Sequence, residues 1–264
     1  MQDFTYLKPG TLEEAAAAFE ASDDGLYLAG GQTMIPVMKQ GLAMPEDVID
    51  LSGIDGLMEI TADGTKLTVG AMVRHADVAT SPDILTKLPA LAALAGGIGD
   101  PQVRNRGTLG GSLANNDPTA DYPAAALALG AAIHTNQRRI EADDFFQGLF
   151  ETALEDGEII TQVAFPLPEK AAYAKFPNPA SRYAIAGVFV AQLTGGVQVA
   201  VTGAGNGVFR VSDMEAALSA SFTAAALDGI TVPAGDLMSD MHASAEYRAH
   251  LVMIMARRAV EAAV

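Results

Sequence analysis

The sequence predicts an α+β protein with two regions, and three observations support this prediction. Helix-like and strand-like segments alternate up to about residue 166. The composition then changes at "PLPEK", where two prolines interrupt the pattern. Beyond that point, short β segments joined by tight turns are followed by helical segments, which is typical of an antiparallel sheet packed with helices. We therefore divide the chain into residues 1–166 and 170–264, and we expect the first region to split near residues 54–63.

The first region opens with a helix, a strand and a second short helix. "TLEEAAAAFE" (11–20) starts with an N-cap threonine and acidic residues and continues with alanines, which predicts a helix. "LYLAGG" (26–31) predicts a short strand that ends in paired glycines, and "TMIPVMKQG" (33–41) predicts one or two helical turns. Strands at "DVIDL" and "KLTVGA" follow, and then a helix over residues 84–95 that is broken at Pro89.

The stretch "RGTLGGSLANNDPTADYPAA" (106–125) predicts a long irregular loop, because its glycines, asparagines and aspartates favour neither a plain helix nor a strand. Its end leads into an alanine-rich helix, and the last strands of the first region are "AAIHT", "RRIEA" and "EIITQVAFP". The sheet of the second region is predicted at "YAKF", "AIAGVFVAQL", "GVQVAVTGAG" and "GVFRV". Helices are expected there at about 214–220 and 245–263.

Composition narrows the function classes. Half of the 264 residues are apolar and 18% are charged, so a sizeable core is expected. The net charge of −16 argues against a nucleic-acid or anionic-membrane partner, although a small anion held by nearby amides is compatible with it. The start of the chain shows no basic leader and no long apolar run, which predicts a cytoplasmic protein.

The absence of cysteine excludes several kinds of site within this chain. Disulfides, thiolate catalysis, cysteine-ligated zinc and iron–sulfur ligation all require cysteine. The four histidines show no metal-ligand spacing, and we interpret each as a surface histidine or one already paired. We therefore expect no metal site, and no residue that acts as nucleophile or general acid.

Two glycine loops are the candidate binding elements. Residues 29–33, "AGGQT", follow a strand and precede a helix, where successive N–H groups can converge on an anion. Residues 108–112, "TLGGS", pair two glycines with two hydroxyls, and Asp121 beyond them is suited to accept hydrogen bonds from sugar hydroxyls. A simple strand–helix turn and a structural Ω-loop are the alternatives. Taken together, two such loops suit a ligand with two or more phosphates held between two subdomains.

Other nucleotide-binding signatures are lacking. The chain has no GxxxxGK[ST] motif, so a P-loop enzyme is unsupported. "GAGNG" (203–207) lies between two β segments with no helix after it, which predicts a hairpin turn. Arg104 and Arg106 are placed either to reach a phosphate or to remain in solvent.

Three segments, "AGGQTMIPVMK", "TLGGSLANNDPTADYPAA" and "KFPNPASRYAIAGV", resemble the FAD-binding medium subunit of molybdenum hydroxylases. The likeness spans essentially the whole chain and is seen in particular with aerobic carbon monoxide dehydrogenase, which is related to the flavin domain of xanthine dehydrogenase. The resemblance implies a two-subdomain FAD-binding (PCMH-type) fold followed by a three-stranded antiparallel sheet with helices.

The resemblance also implies a set of FAD-binding residues. Backbone amides of both loops would bind the pyrophosphate, at Ala29, Gly30, Gly31, Gln32 and Thr33 in the first loop and at Thr108, Gly110, Gly111 and Ser112 in the second. Asp121 would contact the ribose or adenine side, Lys175 would lie near the flavin, and Tyr183 would either shield the isoalloxazine ring or belong to the core. Gln32 stands where the carbon monoxide enzymes often carry histidine, which leaves the substrate open.

The resemblance implies an oxidoreductase subunit that works with partners. The molybdenum cofactor and the [2Fe-2S] clusters would lie on a large molybdenum subunit and a small iron–sulfur subunit, in a dimer of heterotrimers. The FAD would take electrons from a cluster and pass them to a quinone, NAD or oxygen, and the complex would associate with the inner face of the membrane through its partners. The alternatives are a self-sufficient FAD oxidoreductase of related fold and an assembly subunit without FAD.

Overall fold

The computed structural model describes residues 2–264 and arranges them around three main β-sheets. The first sheet has three parallel strands and two short helices. Thr11 caps the first helix as predicted, because its hydroxyl accepts a hydrogen bond from Glu14 N–H at 3.2 Å. The elements are β1 (Thr5–Leu7), α1 (Leu12–Glu20), β2 (Gly25–Leu28), α2 (Met34–Lys39) and β3 (Asp47–Asp50). β3 lies between β1 and β2.

A five-stranded antiparallel sheet and most of the helices follow, after a 3₁₀ turn at Leu51–Gly53. The change from the first sheet to the second falls between Asp50 and Ile60. The elements are β4 (Ile60–Ala62), β5 (Lys66–Gly70), α3 (His75–Thr80), α4 (Pro82–Lys87), α5 (Pro89–Gly96), α6 (Pro101–Arg104), α7 (Leu109–Asn115), α8 (Tyr122–Leu129), β6 (Ala132–Thr135), β7 (Arg139–Glu141), α9 (Ala142–Phe145), β8 (Phe146–Gly148), β9 (Glu151–Thr152) and β10 (Ile160–Pro166). The strand order is β4–β5–β10–β6–β7, and β8 and β9 form a separate hairpin.

The stretch predicted as an irregular loop contains a helix, α7, and here the prediction was wrong. Leu109 and Leu113 lie four residues apart and are both fully buried, so tertiary packing stabilises a helix despite the two glycines. Asn116 ends it in the left-handed region, with a φ of 42°. Its side-chain amide donates to the carbonyls of Gly148 and Glu151, at 3.0 and 2.7 Å, and so joins α7 to the β8–β9 hairpin.

The third sheet is antiparallel and begins at Lys170. Its three long strands are joined by a fourth strand of only two residues, and two helices and a 3₁₀ turn complete the chain. The elements are β11 (Lys170–Pro177), β12 (Ala184–Leu193), β13 (Gly196–Thr202), β14 (Phe209–Arg210), α10 (Ser212–Ala220), a 3₁₀ turn (Ala224–Leu227) and α11 (Ala245–Ala262). The strands follow chain order across the sheet.

β12 is covered on both faces, which explains its nearly continuous apolar sequence. Phe189 and Ala191 pack into the core of the first region, whereas Val188 and Val190 pack into a second core shared with α11. The alternation of side chains along a strand therefore ties the two regions into one packed body. No helix among residues 2–264 is both long enough and apolar enough to cross a bilayer.

Arg248 on α11 is buried in the second core and holds the end of the third sheet. Its Nη1 donates to the carbonyl oxygens of Ile185 and Gly203, at 2.7 and 2.6 Å, and its Nη2 donates to Asp240 at 2.7 Å. Buried backbone carbonyls that lose their donors are costly, so this one side chain contributes substantially to stability.

Replacing Arg248 with leucine should lower the free energy of unfolding by about 2–4 kcal/mol, because two buried carbonyls and a carboxylate would lose their donor. Urea denaturation followed by circular dichroism measures this change. Arg257→Ala, which removes a more exposed ion pair with Asp228, is the control and should cost no more than about 1 kcal/mol. Equal losses in the two variants would contradict the structural role of Arg248.

Candidate functional site

A cleft of about 620 Å³ lies where the first sheet, the helices of the second and the β11–β12 turn come together. Ten of the twelve residues predicted for the site line this cleft, which both glycine loops therefore share. These ten are Ala29, Gly30, Gly31, Gln32, Thr33, Thr108, Gly111, Ser112, Asp121 and Tyr183. The other two, Gly110 and Lys175, lie outside the lining.

The first glycine loop presents unused amides. The N–H groups of Gly30, Gly31, Gln32 and Thr33 donate to no acceptor within residues 2–264. Gly31 has a φ of +69°, a conformation that glycine adopts without strain and other residues rarely do. Unpaired amides in a tight turn form an anion-binding concavity. The loop therefore fits the diphosphate-binding role expected of it.

The two loops touch each other through their glycines. A Cβ atom on Gly30 would lie 2.2 Å from the carbonyl oxygen of Arg106 and 2.8 Å from the α-carbon of Gly107. A Cβ atom on Gly111 would lie 3.3 Å from the Cβ of Ala29 and 2.9 Å from the hydroxyl oxygen of Thr108. Side chains at these glycines would therefore separate the loops or fill the space between them.

The second loop presents its surface differently from the prediction. Thr108 N–H donates to no acceptor within residues 2–264, but the other predicted amides have partners: Gly110 N–H donates to the Ala71 carbonyl at 2.8 Å, and Ser112 N–H donates to the Thr108 carbonyl at 3.1 Å. Gly111 N–H donates to the Thr108 hydroxyl oxygen at 3.2 Å, which caps α7. The predicted amide role is therefore corrected for Gly110, Gly111 and Ser112, and it stays a prediction for Thr108, which lines the cleft. It offers the cleft a bare α-carbon at Gly111 and an unpaired hydroxyl at Ser112.

Gly110 has a packing role. A Cβ atom at this position would lie 2.6 Å from the Cβ of Ala71, so the glycine allows α7 to approach the end of β5. This contact points away from the cleft, and the predicted ligand contact at Gly110 is corrected accordingly. The absence of a side chain here brings α7 close enough for Gly111 and Ser112 to reach the cleft.

Asp121 is buried in a network that spans both regions of the chain. One carboxylate oxygen accepts a hydrogen bond from the Tyr173 hydroxyl, and the other accepts one from Lys175 Nζ at 3.0 Å. Lys175 Nζ also donates to the Gly97 carbonyl at 2.9 Å. Burial raises the pKa of Asp121, while Lys175 and Tyr173 oppose that rise by stabilising the charged form.

This network affects the expected roles of two predicted residues. Asp121 lines the cleft, and each of its oxygens already accepts one hydrogen bond from the chain; because a carboxylate oxygen can accept a second one, the contact with a sugar hydroxyl stays a prediction. Lys175 lies behind the cleft wall, where it holds β11 against the start of α8 and the end of α5. Both residues position the second region relative to the cleft.

Tyr183 stands at the rim of the cleft on the turn between β11 and β12. Asn178 organises this turn, because its side-chain oxygen accepts hydrogen bonds from the amides of Ala180 and Ser181. Arg182 has a φ of 64°, and it and Tyr183 both line the cleft. Tyr183 is 47% exposed, so its ring is available to a ligand and is not a core side chain.

Several cleft residues were missed by the sequence reasoning. His75 is only 5% exposed yet lines the cleft, and burial together with the nearby Arg104 guanidinium lowers its pKa to about 4. Ile98 and Gly99 form a turn in the cleft wall, held by Arg104 Nη1 through their carbonyl oxygens at 2.8 and 3.1 Å. A lone histidine and an ordinary turn carry no local sequence signal, so only the fold reveals these positions.

The cleft suits an extended dinucleotide better than a metal ion. Unused amides, a free hydroxyl and bare glycine surface lie together, with apolar side chains such as Leu26 and Val37 at one side and Tyr183 at the rim. Among the residues that the structure describes, no three His, Asp or Glu side chains converge where they could hold a metal ion. The donor set therefore matches phosphate and sugar oxygens.

Known proteins resemble this chain along nearly its whole length. The profile of the family described as "FAD binding domain in molybdopterin dehydrogenase" matches residues 2–168. The nicotine 6-hydroxylase medium subunit of Paenarthrobacter nicotinovorans is 38% identical, covering 97% of this chain and 95% of its own length. The carbon monoxide dehydrogenase medium chain of Afipia carboxidovorans is 34% identical, covering 98% and 96%.

Solved structures share the fold. A chain of reconstituted CO dehydrogenase from Oligotropha carboxidovorans matches with a TM-score of 0.88 at 34% identity, covering 98% of this chain and 96% of that one. A chain of quinoline 2-oxidoreductase from Pseudomonas putida 86 matches with a TM-score of 0.88 at 27% identity, with the same coverage. The fold class predicted from the sequence is thus confirmed.

Replacing Gly111 with valine should reduce FAD retention by the purified protein. The branched side chain would enter the gap between the two loops, where overpacking costs about 1–3 kcal/mol, so FAD affinity should fall by about five- to a hundredfold. The measurement is the ratio of bound flavin to protein after dialysis.

Gly64→Val is the matched control, because a Cβ atom there meets nothing within 4 Å. Full flavin loading of the Gly111→Val protein, at the level of this control, would show that the cleft between the loops is not the dinucleotide site.

Proposed function

The chain belongs to the family of FAD-binding domains of molybdopterin dehydrogenases, as the medium, FAD-binding subunit of a molybdenum hydroxylase, and on this premise we propose that it is the electron-exit subunit of the complex. The observation that carries the proposal is the meeting of the two glycine loops in one cleft, with four unused amides beside it. FAD held there would supply the chemistry that links a one-electron donor to an acceptor of electron pairs.

The residues of this chain would bind and shield the cofactor. The amides of residues 30–33 hold the diphosphate, and the Ser112 hydroxyl adds a donor on the facing loop. Tyr183, at the rim, would shield the isoalloxazine ring and limit the access of water to it. The Asp121–Lys175 pair fixes the strand that carries this turn, so it positions Tyr183 without contacting the reacting atoms.

Partner subunits would supply the remaining redox centres. This chain has no cysteine to ligate an iron–sulfur cluster, so electrons must arrive from a cluster on another subunit. We infer a small iron–sulfur subunit and a large molybdenum subunit, assembled as a dimer of heterotrimers in the cytoplasm. A quinone at the inner face of the membrane is one acceptor compatible with this arrangement. The relatives carry the names medium chain and medium subunit, which supports a division into several chains.

The tip of the β8–β9 hairpin is a candidate contact for a partner. Leu149 and Phe150 are 55% and 57% exposed at adjacent positions, although large apolar side chains are normally covered. Phe150 has a φ of 56°, a strained conformation for an aromatic residue. Strain and exposure together favour a role in binding over a role in folding.

Purification of the chain with and without its partner subunits tests the proposed function. We expect a flavin absorption spectrum in both preparations and electron transfer to an acceptor only when the partners are present. Turnover by the isolated chain would instead support a self-sufficient flavin oxidoreductase. A colourless protein that still joins the complex would support an assembly subunit without FAD.

Replacing Phe150 with asparagine should weaken binding of the partner subunits without destabilising the chain. Asparagine tolerates positive φ, so the melting temperature should stay the same or rise. The loss of a buried phenyl group should raise the Kd for the partners by about ten- to a hundredfold, as measured by biolayer interferometry. Met241→Asn, at another exposed apolar residue, is the control. Equal Kd values for the two variants would exclude the hairpin tip from the interface.

A further inference from the structure

His75 and Tyr122 place two unpaired polar atoms beside the cleft. Nδ1 of His75 and the hydroxyl oxygen of Tyr122 are both sealed from solvent and have no hydrogen-bond partner within residues 2–264. The two rings pack together, with centroids 5.3 Å apart and planes tilted by 51°. Buried polar groups without partners are rare in folded proteins, so the chain itself holds the His75 ring by packing and leaves its hydrogen-bonding capacity unused.

The second ring nitrogen of His75 faces the glycine loops. Nε2 also has no hydrogen bond within the described chain, but unlike Nδ1 it is not sealed from solvent. A Cβ atom on Gly107 would lie 2.5 Å from Nε2, and a Cβ atom on Gly30 would lie 2.8 Å from the α-carbon of Gly107. Only Gly107, which has no side chain, therefore lies between the His75 imidazole and the first loop.

The His75 imidazole is neutral at physiological pH, because burial disfavours its charged form. A neutral imidazole carries one N–H donor and one acceptor, and the chain itself pairs neither nitrogen. Arg104 and Tyr122 are the other titratable side chains that face the ring. The Arg104 guanidinium donates to the carbonyls of Ile98 and Gly99, and Tyr122 remains un-ionised because burial raises its pKa well above its usual value.

We propose that His75 is a further cofactor-contacting residue, whose neutral imidazole donates a hydrogen bond from Nε2 to an oxygen of the dinucleotide's diphosphate. This inference rests on the proposed function, because it requires a dinucleotide in the cleft. The diphosphate is the part of the dinucleotide expected nearest to His75. It would bind the amides of residues 30–33, and only Gly107 lies between those residues and the imidazole. An Nε2–H tautomer leaves only a lone pair at Nδ1, which is less costly to bury unpaired than an N–H group.

Replacing His75 with phenylalanine should raise the Kd of the deflavinated full-length chain for FAD. The loss of a hydrogen bond to a charged oxygen predicts an increase of about ten- to a hundredfold. ADP, which contains the diphosphate without the flavin, should lose affinity by the same factor, whereas FMN should be less affected. Isothermal titration calorimetry with FAD, ADP and FMN measures all three values.

His75→Gln keeps an N–H donor and should recover part of the affinity for FAD and ADP. Tyr122→Phe removes the neighbouring unpaired hydroxyl and is the matched control for packing of the two rings. If the phenylalanine variant does not fold, ¹⁵N NMR of histidine-labelled wild-type protein gives an independent test. Addition of ADP should then shift the Nε2–H resonance assigned to His75.

The outcomes separate this inference from the proposed function. A wild-type chain that binds no FAD would overturn the proposed function itself. Unchanged FAD and ADP affinity in the His75→Phe protein, with a loaded wild type, would overturn only the role of His75. A loss seen with FAD and FMN but not with ADP would place the imidazole at the flavin and contradict the diphosphate contact.

Discussion

The close approach of Gly30 to the Arg106–Gly107 backbone is the constraint on which the rest of the structure depends. Gly30 lies in the strand-to-helix turn between β2 and α2, and Gly107 precedes the helix α7 packed on the second sheet. With no room for a Cβ atom between them, these two segments meet main chain to main chain. The contact sets the position of one subdomain on the other. It also brings the first loop, with its unused amides, into the same cleft as the second loop.

A buried ion pair between Asp121 and Lys175 holds the second region of the chain against the cleft. Asp121 and Lys175 are both nearly inaccessible to solvent, and ions removed from water are stable only when they are paired and hydrogen-bonded. Tyr173 and the Gly97 carbonyl provide the remaining partners, so the network joins α8, β11 and the end of α5. Because the β11–β12 turn carries Tyr183, the network also helps to fix the aromatic rim of the cleft. The same network therefore determines both how the two regions pack together and the shape of the site.

Most of the fold could be predicted because its signals are local. The Thr11 cap, the prolines that begin α4 and α5, and the apolar run of β12 each act through neighbours in sequence. The site was predictable in position but not in detail. The sequence shows which residues lack a side chain, but not where an N–H group donates. That is why the amide of Gly110, paired with Ala71, and the burial of His75 could be seen only in the fold.

The cleft can accept a diphosphate although the chain carries a net charge of −16, because the charge lining the cleft is small and mostly compensated. Asp121 is paired with Lys175, and Arg182 contributes a positive charge near Tyr183. Asp117 accepts hydrogen bonds from the amide and hydroxyl of Thr119. Exposed charges farther from the cleft than about one Debye length, roughly 8 Å at physiological ionic strength, are largely screened. Binding is therefore decided by dipoles in contact with the ligand, and a neutral imidazole among them adds a donor without adding charge.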